Sequence, residues 1–152
     1  MEIFKGSAVA LITPFDETGA IDWPAFDALL TFHLENQTDA LVITGTTGEV
    51  STLTDEEQIN LIKRAVEVVE GKIPIIAGTG INDTRHTIEL STKAQAAGAD
   101  ALLLVTPYYN KANHQGMLLH FTKIADAVSI PIILYHVPGR TGAVLSVEQV
   151  VE

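Results

Sequence analysis

Residues 101–110, Ala101-Leu102-Leu103-Leu104-Val105-Thr106-Pro107-Tyr108-Tyr109-Asn110, run from an unbroken apolar stretch straight into a polar turn. No polar residue alternates within Ala101–Val105, so the segment predicts a strand covered on both faces, as in a parallel sheet. Four further runs of the same kind flank it: Ser7–Ile12, Ala40–Thr44, Ile73–Ala77 and Ile130–Tyr135. Their starts recur about every thirty residues, the length of one βα unit, which predicts a parallel sheet with right-handed crossovers.

The intervening segments have helical period. Pro24–Asn36 places Phe26, Leu29, Leu30 and His33 on one face, with Asp22 placed to cap, and His33 reads as a satisfied packing residue. Thr54-Asp55-Glu56-Glu57 is a capping box for a helix reaching about Glu70, with Ile59, Ile62 and Val66 expected inward. Asn82 or Asp83 opens a third helix that Gly98 stops after Ala97, His114–Val128 forms a fourth, and Ser146 opens a fifth. At Gln37 the turn out of the first helix is expected to be strained or to use Asn36 as its left-handed residue.

Two architectures share this pattern. A five-stranded doubly wound sheet would be complete at 152 residues, whereas a (β/α)₈ barrel needs roughly 250. The doubly wound form places phosphate chemistry after its first strand, yet Thr13-Pro14-Phe15-Asp16 has no glycine-rich cradle. Unusual polar segments follow the second to fifth strands alike, which favours a barrel mouth. Residues 1–152 are therefore read as a single partial (β/α) barrel domain covering about the first five βα units and ending before the sixth strand.

Composition narrows the partners. The chain is 47% hydrophobic with a net charge of −10 and no basic cluster, so nucleic acid is not an expected ligand. No run approaches the ~18 apolar residues of a membrane span. The absence of cysteine excludes disulfides and fits a cytoplasmic location. The histidines at 33, 86, 114, 120 and 136 show no zinc-ligand spacing, so no metal is expected.

The chemistry-bearing residues follow the strands. In Thr44-Gly45-Thr46-Thr47-Gly48-Glu49, Gly45 and Gly48 allow main-chain N–H groups and two hydroxyls to converge on a small anion. A plain glycine turn accounts for the same letters, and Glu49 reads equally well as a buried acceptor for loop amides. Tyr108 and Tyr109 follow the fourth strand and suit packing or an interface as well as catalysis. Tyr135 ends the fifth strand, its ring in the apolar run and its hydroxyl toward the mouth. A phenol with a reference pKa near 10 needs a relay or a cation to move a proton near neutrality. Arg140, just beyond, can clamp a carboxylate bidentately or form an ordinary surface ion pair.

Gly45-Thr46-Thr47-Gly48-Glu49, Thr106-Pro107-Tyr108-Tyr109-Asn110 and Tyr135-His136-Val137-Pro138-Gly139-Arg140-Thr141-Gly142, in this order, closely resemble the dihydrodipicolinate synthases of lysine biosynthesis. The resemblance extends to the opening Gly6–Phe15 segment. It implies a (β/α)₈ barrel in which a lysine forms a Schiff base with pyruvate, and the enamine attacks aspartate semialdehyde. It also implies a homodimer or homotetramer, and no cofactor beyond that lysine. By the same resemblance Tyr135 is the proton shuttle, and Thr46 passes protons between it and Tyr109, which a neighbouring subunit contributes. Thr47 with the amides of the Gly45–Gly48 turn holds the pyruvate carboxylate, and Arg140 supports the tyrosine and receives the aldehyde's carboxylate. Related aldolases and lyases of the superfamily share the cradle; a non-catalytic half-barrel is the further alternative. Three departures stand out: Val50 where a small or polar residue is usual, Gln37 where glycine is common, and the Schiff-base lysine, which the pattern places on a sixth strand beyond Glu152. Lysine-sensitive members carry an acid at the position of His86, near Asn82 and Tyr108.

Overall fold

A computed structural model describes residues 3–152; Met1 and Glu2, counted in the expected domain, lie outside the described residues. The strands are β1 (Ala8–Ala10), β2 (Ala40–Ile43), β3 (Ile75–Gly78), β4 (Ala101–Val105) and β5 (Ile132–Tyr135). They form one parallel sheet in the order β1-β2-β3-β4-β5. A doubly wound sheet reverses direction at a switch point, so this sequential order excludes it and leaves the barrel progression. β3 and β5 begin two residues later than their apolar runs because Pro74 and Pro131 have no N–H to give the ladder, although their carbonyls accept from Leu41 and Leu102.

The main helices are α1 (Trp23–Glu35), α2 (Asp55–Val69), α3 (Thr84–Ala96) and α4 (His114–Ala125), followed by short α5 (Pro138–Thr141) and α6 (Val147–Val151). None is long and apolar enough to cross a membrane among the described residues. Side chains at the first helical turns take the hydrogen bonds that the termini require. Asp22 accepts from Ala25 N at 2.9 Å, Thr54 and Glu57 close the capping box, Asp83 accepts from His86 N and Asn113 from Gly116 N. Arg64 on α2 grips both carboxylate oxygens of Asp27 on α1, Nε to Oδ1 at 2.8 Å, and holds that carboxyl below the usual range.

The sheet separates two apolar layers. Leu41, Ile43, Ile75, Ala77, Leu102 and Leu104 point to the helices, where they meet Phe26, Leu30, Leu61, Ile62 and Ile124. Ala40, Val42, Ile76 and Ala101 face the other way, against Leu103 and Ile133.

Several expectations change. The buried face of α2 is Gln58, Leu61, Ile62, Ala65 and Val69; of the residues expected inward Ile62 lies on it, while Ile59 and Val66 flank it half-buried and pack against the same core. Gln37 itself is left-handed at φ 58, while Asn36 stays at φ −100 because its N–H still bonds Phe32 O. β1 and β5 are not buried on both faces: Ala8, Ala10 and Leu134 are exposed, because each is an outer strand of this sheet with a neighbour on one side only. His33 is a packing residue, its Nδ1 2.9 Å from Thr38 Oγ1.

Candidate active site

β2 ends at Ile43 and is followed by Thr44, a β-branched residue held at φ 57 and 2% exposed. Such a residue visits the left-handed region at a cost of roughly 1–2 kcal/mol, so its surroundings must impose the turn. The Thr44 hydroxyl lies 2.6 Å from Ile43 O and 3.0 Å from Gly78 O, the carbonyls available to it. A Cβ on Gly78 would stand 2.4 Å from Thr44 O, and one on Gly80 would stand 2.4 Å from Val105 N. Glycine therefore lets the ends of β2, β3 and β4 close on one another.

From this turn the chain enters a 3₁₀ turn, Thr46–Gly48, in which Gly48 N bonds Gly45 O at 3.0 Å. Thr13 anchors it from below, donating its hydroxyl to Gly48 O at 2.7 Å. Thr46 and Thr47 face solvent above the anchored Gly45 and Gly48. The reading of Glu49 as a buried acceptor is corrected: at φ 56 the backbone swings it outward and it is exposed.

Two adjoining cavities open over these strand ends. The smaller, about 30 Å³, is lined by Gly45, Thr46, Gly78, Gly80, Val105 and Tyr135. The larger, about 280 Å³, has Thr46, Ser51, Ile81, Tyr108, Val137 and Arg140 among its walls. Tyr135 reaches the first through strand register: it pairs with Val105, and both face away from the helix layer. Arg140 reaches the rim on α5, a short helix that the sequence reading leaves as loop; Pro138 opens it and Gly142 at φ 64 closes it. Arg140 is exposed and makes no ion pair among the described residues. A third, larger groove of about 480 Å³ lies at the opposite ends of the strands, beside Phe4, Asp39 and Lys72, remote from these groups.

The structure thus brings together Thr46 and Tyr135, sets Arg140 beside them, and leaves Tyr109 apart. Tyr109 is 91% exposed at φ 70 and lines neither cavity. The loop that presents it is tied down by Asn110, whose Nδ2 donates to Asn82 O at 3.0 Å. Thr47 lines neither cavity and sits on the exposed side of its turn. Ser51 and Ile81 are wall residues that sequence reasoning missed; the tight Gly78-Thr79-Gly80 segment before Ile81 was the available signal. Among the described residues no group of three or more His, Cys, Asp or Glu is placed to hold a metal ion. The arrangement offers a hydroxyl and a phenol on one small cavity, with a guanidinium at its entrance.

The sequence model described as the Dihydrodipicolinate synthetase family matches residues 3–152. The 4-hydroxy-tetrahydrodipicolinate synthase of Thermoanaerobacter sp. (strain X514) is 55% identical over 141 residues, 93% of this chain and 47% of that protein. Among solved structures, the chloride-inhibited dihydrodipicolinate synthase of Acinetobacter baumannii complexed with pyruvate superposes with a TM-score of 0.96 at 50% identity, over 99% of this chain and 51% of that one. The enzyme of Cyanidioschyzon merolae with lysine bound gives a TM-score of 0.94 at 40% identity, over 98% and 51%. The chain spans about half the length of the curated relatives it matches.

Proposed function

Since the chain belongs to the dihydrodipicolinate synthetase family, we propose that it forms the pyruvate-binding half of a Schiff-base lyase that condenses pyruvate with aspartate semialdehyde in lysine biosynthesis, in the cytoplasm. The observation that carries this reading is the shared cavity of Thr46 and Tyr135, with Arg140 on the adjoining wall.

Tyr135 moves the protons of Schiff-base formation, which its high ordinary pKa permits only through a relay; Thr46 is the next hydroxyl in that relay. Thr47 and the amides of the Gly45–Gly48 turn hold the pyruvate carboxylate. Arg140 orients the Tyr135 hydroxyl and receives the carboxylate of the aldehyde. Tyr109, displayed away from its own cavity, completes the relay in a neighbouring subunit, and the working form is a homodimer or homotetramer.

The amine nucleophile is supplied by a residue outside this chain. All six lysines, Lys5, Lys63, Lys72, Lys93, Lys111 and Lys123, are exposed, whereas a nucleophilic amine needs burial that lowers its pKa. Residues 1–152 are accordingly one partial barrel domain, inactive alone.

A chimera joining this chain to the second half of a close relative tests the reading. Condensation of pyruvate with aspartate semialdehyde by the folded chimera is expected. A folded chimera that forms no pyruvate adduct overturns it, and one that forms the adduct but cleaves other keto acids instead favours the related aldolases.

A further inference from the structure

The helices on either side of β4 are fastened by a buried imidazole. His120, on α4, is 3% exposed, and its Nδ1 lies 2.9 Å from the hydroxyl of Thr84, the first residue of α3. Its ring meets that of Phe121 edge to face at 5.1 Å. The second ring nitrogen, Nε2, is buried with no hydrogen-bond partner among the described residues. Thr106 Oγ1 is the other buried side-chain atom in that condition, and Thr106 opens the loop that carries Tyr108 and Tyr109. Along β4, Leu102 and Leu104 point into the helix layer, so Thr106 continues on the side of α3 and α4.

A neutral imidazole suits this place: Nδ1 shares one hydrogen bond with the Thr84 hydroxyl, and the buried ring carries no charge. An imidazolium would bury a second, charged N–H where no described residue accepts it, a heavy desolvation penalty. The groups around it do little to relieve that penalty. From α4 come Met117, Phe121 and Ile124, and from the start of α3 Thr84 and the carboxylate of Asp83. Among the described residues Asp83 is the charged group that acts on the ring, and its Oδ1 already accepts from His86 N at 3.1 Å. Burial outweighs that carboxylate and holds the imidazole below its usual pKa.

We propose that His120 is a pH-operated latch: neutral, it fastens the start of α3 to α4; protonated, it releases that contact and loosens the loop that presents Tyr109. The loop follows because Asn110 is tied to Asn82, two residues before Thr84. The latch stands independently of the catalytic reading, since it requires only the packing of α3, α4 and β4.

Hydrogen exchange read by mass spectrometry on the 152-residue chain, from pH 7.5 to pH 5 and corrected for intrinsic rates, tests it. Protection in peptides spanning 84–91 and 106–120 is expected to fall about tenfold for each unit by which pH drops below the ordinary imidazole value, while α2 stays protected. The fall should begin near the ordinary imidazole value, where the opened ring takes up its proton, and level off at the His120 ring titration of the folded chain measured by NMR, and His120→Phe should abolish it. An equal loss of protection in α2, or a response that persists in His120→Phe, overturns the proposal. So does a fall that continues undiminished below the native ring titration, a comparison made on the unaltered chain and unaffected if the variant fails to fold.

Discussion

His86 Nε2 and Asp55 Oδ2 lie 2.7 Å apart, joining the first turn of α3 to the first turn of α2. The resemblance implies an acid at the position of His86 in lysine-sensitive members, and here the nearby acid, Asp55, is already engaged by that imidazole. An imidazole cannot pair with an ammonium as a carboxylate does. An active chimera carrying this half is therefore expected to keep its initial rate in millimolar lysine. Inhibition at sub-millimolar lysine would show that Asp55 leaves His86 and takes over the role; Asp55→Asn would then remove it.

The relay makes a kinetic prediction. In the same chimera, Tyr135→Phe keeps the ring and deletes the hydroxyl, so it should lower kcat by about 100-fold or more while changing the KM for pyruvate only slightly. Proton transfer acts in the transition state, whereas the carboxylate is held by the Gly45–Gly48 turn. Near-normal turnover would remove Tyr135 from the relay.

Six exposed lysines predict the chemistry of the chain alone. Borohydride reduction with pyruvate, read by intact-mass spectrometry, should show no saturable single addition. A stoichiometric adduct mapped to Lys111, which lies at φ 47 next to the Tyr109 loop, would identify a nucleophile inside this half and refute its supply from elsewhere.

The closure of β2 on β3 can be measured apart from activity. Gly78→Ala drives a Cβ to 2.4 Å from Thr44 O, a backbone atom with no flexible end to move. It should destabilise the chain by ~1–3 kcal/mol in chemical denaturation. Gly139→Ala, which meets nothing within 4 Å inside α5, should be near neutral or slightly stabilising. Equal effects at the two positions would mean that the ends of β2 and β3 leave room for a methyl group.

Much of this molecule was legible in its letters. Five unbroken apolar runs at regular spacing, separated by amphipathic segments with Asp22, Thr54, Asp83 and Ser146 as caps, define alternating strands and helices because burial and capping are local demands. The same reading singled out Gly45, Thr46, Tyr135 and Arg140, since glycines, hydroxyls and an arginine just past apolar strands are costly unless used. Periodicity stopped short of strand order, which depends on which ladder edges meet, and hydrogen bonds between distant strands leave no mark in a short window.

The sequence by itself determined the βα alternation, the family motifs and the lack of a metal-ligand pattern. Tertiary structure decided the sequential sheet order, the left-handed turns at Gln37, Thr44 and Glu49, the inward face of α2 and the separation of Tyr109 from the cavity shared by Thr46 and Tyr135. It also decided that His120, one histidine among five, lies buried with one hydrogen-bond partner among the described residues. The physical reason is common to all of these: each depends on approach between segments far apart in the chain, and a left-handed turn or a buried imidazole is tolerated only where that approach holds it in place.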